Sequence, residues 1–465
     1  MEHFDLIVVG TGSGNAIPEA LGEWRIALVE RDVFGGTCLN RGCIPSKMLV
    51  YAADLAASAE TSSRLGVDLR VDGVDWPAIV KRVFGRIDPI AEGGSDYRRN
   101  RCPNVTVIDG HAEFVAPKVL EVDGRQLTAP HILLAAGSRP FIPPLPGLAQ
   151  VPFHTSDTVM RVDALPERLV ILGGGYIAAE LGHVFGSLGS DVTFILRSPV
   201  MLRAEDAEVS VRATEVYNRR CRLLTSAVDV AVGEADGRIA ITGVAHGRRF
   251  TAQADVLLVA AGRTPNGDQL RAEVGGLATD SAGSRVLSDA TMATNVPGVW
   301  ALGDLTNLMQ LKHLANAEAQ VAFSNITQVG RDVPPAWPPD GPGLKRIDRT
   351  LVPHAVFGHP QIASVGLRER DVVDAGIPHV VKVQAYGDVA YGWAMEDTTG
   401  FCKLIAHAET RQLLGAHLIG PQASSLIQPL VQGMRFGQTV DEMARDVWYI
   451  HPALSEVVEN ALLGL

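Results

Sequence analysis

The chain has 465 residues, 46% hydrophobic and 20% charged, with a mean hydropathy of +0.13; that excludes a disordered or fibrous chain, and at ~150 residues per domain it suggests about three domains. Against 52 aspartates and glutamates stand 41 lysines and arginines, a net charge of −11, so neither a nucleic-acid footprint nor a polybasic membrane patch is expected. Five cysteines are too few for a disulfide scaffold, no apolar run reaches the ~18 residues of a membrane helix, and MEHFDLIVVG opens acidic and enters a strand at once, unlike a signal peptide; a soluble, cytoplasmic protein is the expectation.

In chain order, short Val/Ile/Leu runs that end near glycine and precede helical stretches read as parallel strands of an α/β domain. They are Leu6–Val9, Ala27–Val29, Ile132–Ala135, Leu169–Leu172, Val192–Leu196, Val256–Ala260 and Val299–Leu302. Two of them lead into glycine-rich turns, at 10–14 and 173–175, which predicts two nucleotide-binding units. The stretch 330–343, GRDVPPAWPPDGPG, reads as a linker. Beyond it, alternation predicts strands at His379–Ala385 and Phe401–Ala406, and helical periodicity runs from Ala423 onward. The last part has no nucleotide-binding signature and reads as a separate α+β domain.

The segment DLIVVGTGSGN, from Asp5 to Asn15, ends a strand with the start of a dinucleotide fingerprint. Gly10 permits the tight turn and Gly12 lets the backbone approach a pyrophosphate, with Gly14 beside them. The third fingerprint position, where helix and strand pack closely, holds Asn15 rather than glycine. Glu30 closes the next strand 20 residues after Gly10, where a carboxylate can accept from both ribose hydroxyls.

The next stretch, GGTCLNRGCIPSK from Gly35 to Lys47, is the most informative. Two buried free thiols or half of a metal site are the bland readings. A zinc site needs further Cys/His pairs at short spacing, and there are none, so no metal is expected. Positions five apart fall on different faces of a regular helix, so joining Cys38 to Cys43 needs an irregular helix entry. Gly42 loosens the backbone there and Pro45 suits a first helical turn. A helix N-terminus favours a Cys43 thiolate, and Lys47 adds positive charge one turn on. A redox-active dithiol is the reading these residues support.

GGTCLNRGCIPSK resembles the active-site segment of the class I flavoprotein disulfide reductases. In that family the first cysteine attacks the substrate and the second faces the flavin. The resemblance implies FAD and a pyridine nucleotide as cofactors, Cys38 as interchange thiol and Cys43 as charge-transfer thiol. Gly36 and Thr37 then lie against FAD.

The second fingerprint, LVILGGGYIAAE from Leu169 to Glu180, is a better G-x-G-x-x-A match, with Gly173, Gly175 and Ala178. After the following strand the NAD-selecting acid is absent. Arg197 stands there instead, with Arg203 six residues on, and two guanidiniums suit a 2′-phosphate through charge-assisted bonds. NADPH is therefore expected over NADH. By resemblance, Tyr176 is similar to an aromatic lid over the flavin, and Glu180 to the carboxylate paired with Lys47 beside the flavin. Gly137-Ser138 and Gly262-Arg263 resemble the two chain crossings between the FAD and NADPH domains. Gly303-Asp304 resembles the second FAD motif, and His111-Ala112 a backbone contact to adenine.

Near the end, His451-Pro452-Ala-Leu-Ser-Glu456 is similar to the family's H-P-x-x-x-E. A glutamate can orient and charge such an imidazole. The resemblance implies that this histidine protonates the departing thiol at the opposite subunit's disulfide, which makes a homodimer with shared active sites the expected assembly. Cys102, Cys221 and Cys402 read as structural. The expected fold is α/β: two Rossmann-like dinucleotide-binding domains (FAD, NADPH) plus a C-terminal α+β dimerisation domain. The division is 1–150 for the first part of the FAD domain, 151–266 for the NADPH domain, 267–335 for the second part of the FAD domain and 345–465 for dimerisation.

The expected reaction is NADPH-dependent reduction of a small-molecule disulfide. A chain ending NALLGL without cysteines argues against family members whose tails carry a second redox pair, and the two arginines argue against an NAD enzyme. The Gly10–Asn15 turn, Arg82–Arg99, and Ala390–Asp397 with Gln422–Pro429 resemble the members acting on a pseudo-disaccharide thiol. A glutathione-type disulfide is the alternative substrate, and a non-catalytic FAD-binding redox sensor is the alternative of another class.

Overall fold

The computed structural model describes the whole chain, Met1–Leu465. Its residues form two compact units: Met1–Pro45 with Lys81–Phe141 and Arg263–Arg349, and Ser46–Val80 with Ile142–Gly262 and Thr350–Leu465.

The first unit is built on a parallel sheet in the order Val299–Ala301, His131–Leu134, Leu6–Val9, Ile26–Glu30, Val105–Asp109. Strand LIVV is buried at every position, as a sheet covered on both faces requires. The period-2 pleat sorts its residues into two cores. Ile7, Val9, Ala27, Val29, Ile132 and Leu134 face one cluster. Leu6, Val8, Ile26, Leu28 and Leu133 face the other. A second sheet pairs Glu2–His3, Arg125–Thr128, Val119–Val122 and Ala112–Ala116. The proline-rich stretch expected as a linker has no regular structure, yet it is tied down. Trp337 donates its indole N–H to the Thr294 carbonyl at 2.7 Å and packs edge-on against Trp300.

In the second unit a parallel sheet runs Arg222–Leu224, Asp191–Ile195, Arg168–Leu172, Val256–Val259, beside a meander of Val228–Ala235, Arg238–Ala245 and Arg248–Ala254. A five-stranded antiparallel sheet follows, in the order His354–Val356, Ile362–Gly366, Leu413–Ile419, Phe401–His407, His379–Ala385. Helices Gln428–Arg435, Val440–Arg445 and Ser455–Leu463 bury one face of it around Leu404, Leu418, Leu430, Val457 and Ala461. The long helical run expected from Ala423 is thus broken into short helices. Gly437 turns at φ +68° after Gln428–Arg435, and Asp446–Leu454 carries His451 and Pro452 in an open stretch. No helix is long and apolar enough to cross a membrane.

Candidate active site

Cys38 sits in a short helix, Gly36–Asn40, which stops at Arg41; a new helix, Cys43–Thr61, begins with Cys43 as its first residue. This is the irregular entry that a close pair of sulfurs requires. Gly42 makes the return possible: a Cβ there would lie 2.9 Å from the Thr37 carbonyl oxygen and 3.2 Å from the Cys38 Cα. Asn40 staples the first helix by donating to the carbonyls of Phe34 and Gly36 at 2.9 and 3.0 Å. The two cysteines are hydrogen-bonded thiols here. The Cys43 sulfur beside it and burial push the Cys38 thiol up, while the Lys312 ammonium pulls the other way. Cys43, at a helix N-terminus, is the site where a thiolate is favoured. Deprotonating Cys38 therefore calls for a base beside it.

The residues around the first nucleotide turn fit a dinucleotide. Gly10 has φ +101°, and a Cβ on it would lie 2.4 Å from the Ala135 carbonyl oxygen. Gly12 and Gly36 meet backbone to backbone, a Cβ on Gly36 falling 2.7 Å from the Gly12 Cα. Close helix–strand packing falls on Gly14 rather than at Asn15, because the turn continues as a 3-10 helix, Ser13–Asn15, instead of an α-helix. A Cβ on Gly14 would meet the Ala135 Cβ at 2.8 Å. Asn15 instead accepts from Arg98 at 2.8 Å. Glu30 is held in place by Thr11, whose backbone N–H and hydroxyl donate to one oxygen at 2.9 and 2.6 Å. Its other oxygen takes the N–H of Arg31 at 2.9 Å.

Asp304 accepts from the Ser138 hydroxyl at 2.7 Å, and Arg263 donates to the Ser138 hydroxyl and carbonyl, both at 2.8 Å. The guanidinium of Arg263 thus braces Ser138. The segments after Gly137 and Gly262 pair with each other, Ser138–Pro140 antiparallel to Arg263–Pro265. The amide of Gly303 donates to buried Glu318 at 2.7 Å, His111 contacts the Gln269 carbonyl at 2.8 Å, and Ala112 is buried at the start of its strand. Thr37 lies in the cysteine helix, exposed. Lys312, which donates to Ser13 at 3.0 Å, was not legible in the motifs.

The second turn repeats the arrangement. A Cβ on Gly173 would lie 2.2 Å from the Ala260 carbonyl oxygen, whereas one on Gly175 would meet nothing within 4 Å, leaving open space at the start of helix Tyr176–Ser187. Ala178 is buried on the inner side of that helix, and Tyr176 is exposed at its first position. Arg197 and Arg203 stand exposed with no ion-pair partner. Their loop is fixed: Leu202 donates its N–H to the Gly174 carbonyl at 2.7 Å, Met201 to the Thr214 hydroxyl at 2.9 Å, and Glu205 bonds His354 at 2.8 Å. These residues fit a nucleotide carrying an extra phosphate.

Two acid–base pairs complete the set, both within the second unit. Lys47 Nζ lies 2.7 Å from each oxygen of Glu180, whose side chain is 5% exposed. Glu180 also accepts the backbone N–H of Phe357 at 3.0 Å, and the Phe357 ring lies under the Lys47 ammonium at 4.9 Å. A backbone donor has no residue-type signature, so Phe357 escaped the motif reading. At the far end, His451 Nδ1 is 2.6 Å from Glu456 Oε1, and the His451 side chain is 72% exposed. The ring is oriented at one nitrogen and open at the other. Just before it in the chain Val447, Trp448 and Ile450 are exposed, Trp448 at 97%, exposed apolar side chains of the kind that mark an interface.

Comparison with known proteins gives the family of the chain. The family model "Pyridine nucleotide-disulphide oxidoreductase" matches residues 4–320, and its dimerisation-domain model matches residues 352–462. The chain is 48% identical to a mycothione reductase of Mycobacterium tuberculosis over all of both chains. It is 33% identical to a dihydrolipoyl dehydrogenase of Chlamydia pneumoniae, over 100% of this chain and 97% of that one. Among solved structures, the Cu(II) complex of the HOCl-induced flavoprotein disulfide reductase RclA from Escherichia coli aligns over 100% of both chains, with a TM-score of 0.85 and 25% identity.

Proposed function

Because the chain belongs to the pyridine nucleotide-disulphide oxidoreductase family, an FAD-containing, NAD(P)H-dependent group of disulfide reductases, we propose that its substrate is mycothione and its electron donor NADPH. The chain is an oxidoreductase that reduces a small thiol disulfide, and its dimerisation domain supports a homodimer. The observation that carries the finer reading of the chemistry is the thiol pair, Cys38 within one short helix and Cys43 opening the next across Gly42. The choice of mycothione rests on the 48% identity over the full length of both chains, and that of NADPH on the unpaired Arg197 and Arg203. The four-segment division given above, with its two nucleotide domains, belongs to the same proposal.

FAD and NADPH, when bound, supply the two electrons that return a Cys38–Cys43 disulfide to the dithiol. Gly10, Gly12, Glu30, Gly36, Ser138 and Asp304 hold the first; Gly173, Gly175, Arg197 and Arg203 hold the second. Cys38 loses its proton to His451 of the partner subunit and attacks one sulfur of the substrate disulfide. The substrate S–S bond breaks, a Cys38 mixed disulfide forms, and the departing thiolate takes the proton back from that imidazole. Glu456 keeps the ring oriented with its free nitrogen outward. The Cys43 thiolate then attacks the Cys38 sulfur, forming the Cys38–Cys43 bond and releasing the second product as a thiolate, which takes its proton from solvent. Lys47 and Glu180, a charged pair held at 2.7 Å, would lie beside the flavin when it is bound.

The test is NADPH oxidation by the purified enzyme with mycothione, glutathione disulfide and lipoamide in parallel. Turnover on mycothione at least about tenfold above the others supports the reading; preference for glutathione disulfide overturns the substrate, and no turnover on any disulfide overturns the chemistry.

A further inference from the structure

The elements that present Lys47 and Glu180 are tied together a second time, further along. Asp54 lies two turns beyond Lys47 on helix Cys43–Thr61, and His183 one turn beyond Glu180 on helix Tyr176–Ser187. His183 Nε2 is 2.8 Å from Asp54 Oδ1, and its Nδ1 is 3.0 Å from the Ser187 hydroxyl. Arg220 donates to that hydroxyl at 2.8 Å and to the two oxygens of Glu60 at 2.8 and 3.0 Å. Glu60 brings the path back to the helix it left, so the five side chains close a ring across three helices. His359 joins from the segment that also provides the Phe357 N–H: its ring stacks on His183 at 5.5 Å, with 17° between planes.

Asp54, His183 and His359 offer the donor types of a divalent-cation site within 4.8 Å of one another. Stacked imidazoles do not aim their lone pairs at one point, however, and the Arg220 guanidinium donates into the same ring of bonds. The cluster is therefore built for hydrogen bonding. Its place along the helices gives it a use. Two helices joined by one contact can slide or roll about it, and Lys47 is a flexible side chain with about 2 kcal/mol of rotamer entropy. Meeting both oxygens of a buried carboxylate at 2.7 Å demands a fixed helix-to-helix register.

We propose that Asp54 and His183 are positioning residues for the Lys47–Glu180 pair, their hydrogen bond locking the register of helix Cys43–Thr61 on helix Tyr176–Ser187. The proposal rests on the reading above that this pair lies beside bound flavin. The experiment uses the holoenzyme with Asp54→Ala and Asp54→Asn. The Asp54 side chain is 39% exposed, so neither change empties a core. The readouts are the rate of enzyme reduction by NADPH in a stopped-flow instrument, the long-wavelength thiolate–flavin absorbance of the reduced enzyme, and KM for the disulfide. In Asp54→Ala the reduction rate falls about tenfold, equivalent to about 1.4 kcal/mol, and the absorbance band shifts, while KM stays within about twofold. Asp54→Asn, whose amide oxygen still accepts from His183, returns the rate to within about twofold of wild type. An alanine variant with wild-type rate and band, or an asparagine variant as impaired as alanine, overturns this proposal alone. A wild-type enzyme lacking the band overturns both it and the functional reading beneath it.

Discussion

Replacing Arg197 and Arg203 by alanine separates NADPH from NADH. Both guanidiniums are exposed and unpaired, so removing them breaks no internal contact. Their loop is preorganised by the Leu202–Gly174 and Met201–Thr214 bonds and by Glu205 on His354, so little loop entropy is lost on binding. A charge-assisted bond is worth about 1.5–3 kcal/mol when shielded, and solvent screening at an exposed site brings that to about 1–1.5 kcal/mol each. Each single variant then raises KM for NADPH about 5- to 12-fold. The double variant raises it about 15- to 100-fold, short of full additivity because both groups share one phosphate. KM for NADH and kcat with either nucleotide change less than about twofold. The assay is steady-state NADPH and NADH oxidation at two ionic strengths, where the wild-type KM for NADPH rises with salt and that of the double variant does not. Equal losses with both nucleotides, or no loss in the double variant, would refute the assignment of a 2′-phosphate site to these arginines.

Further consequences concern stability, assembly and the flavin. Lys403, 1% exposed, bonds Asp206 at 2.9 Å, Glu208 at 3.1 Å and Glu369 at 2.5 Å. Burial opposes ionisation of Asp206, but Lys403, His417 and the Glu369 N–H together outweigh it and hold the carboxyl below its usual value; that contribution is present at neutral pH and lost as pH falls through the depressed value. Lys403→Met strands a buried carboxylate and costs about 3 kcal/mol at pH 7, read as a lower thermal midpoint. The gap to wild type narrows as the solution is acidified toward pH ~4, where the variant's unpaired carboxyl protonates; a gap independent of pH contradicts the account. Cys38→Ser and His451→Ala homodimers are each inactive, whereas co-expressed heterodimers recover about half the wild-type turnover, because one site then keeps both groups; inactive heterodimers exclude a shared site. Gly10→Ala places a methyl group 2.4 Å from the Ala135 oxygen at φ +101°, a strain of about 2 kcal/mol or more. The purified variant loses most of its yellow colour, and full flavin content in it contradicts the cradle.

Seven of the nine strands of the two parallel sheets were legible as continuous apolar runs, whereas Val105–Asp109, which alternates polar with apolar residues, and the three-residue Arg222–Leu224 were not. Leu169–Leu172 is extended by a single residue, to Arg168–Leu172. Leu413–Ile419, the central strand of the antiparallel sheet, was passed over because Gly415 interrupts its pattern. That glycine is required by a close approach, a Cβ there falling 1.9 Å from the Leu367 carbonyl oxygen. In the site, Cys38 with Cys43 and His451 with Glu456 carry short-range spacing and could be read along the chain. Lys47 with Glu180 was paired through the family pattern alone. The Asp54–His183 bond joins residues 129 positions apart on helices of unremarkable composition, and no local signal predicts it.

The most direct test of the central claim is NADPH oxidation with mycothione by wild type, Cys38→Ser, Cys43→Ser and His451→Ala, each purified with flavin bound. The account predicts rapid turnover by wild type, none by either cysteine variant, and a loss of about 100-fold or more in His451→Ala, the contribution expected of a positioned general acid. Retention of disulfide turnover in either cysteine variant, or a wild-type enzyme that oxidises NADPH without reducing any disulfide, would contradict it.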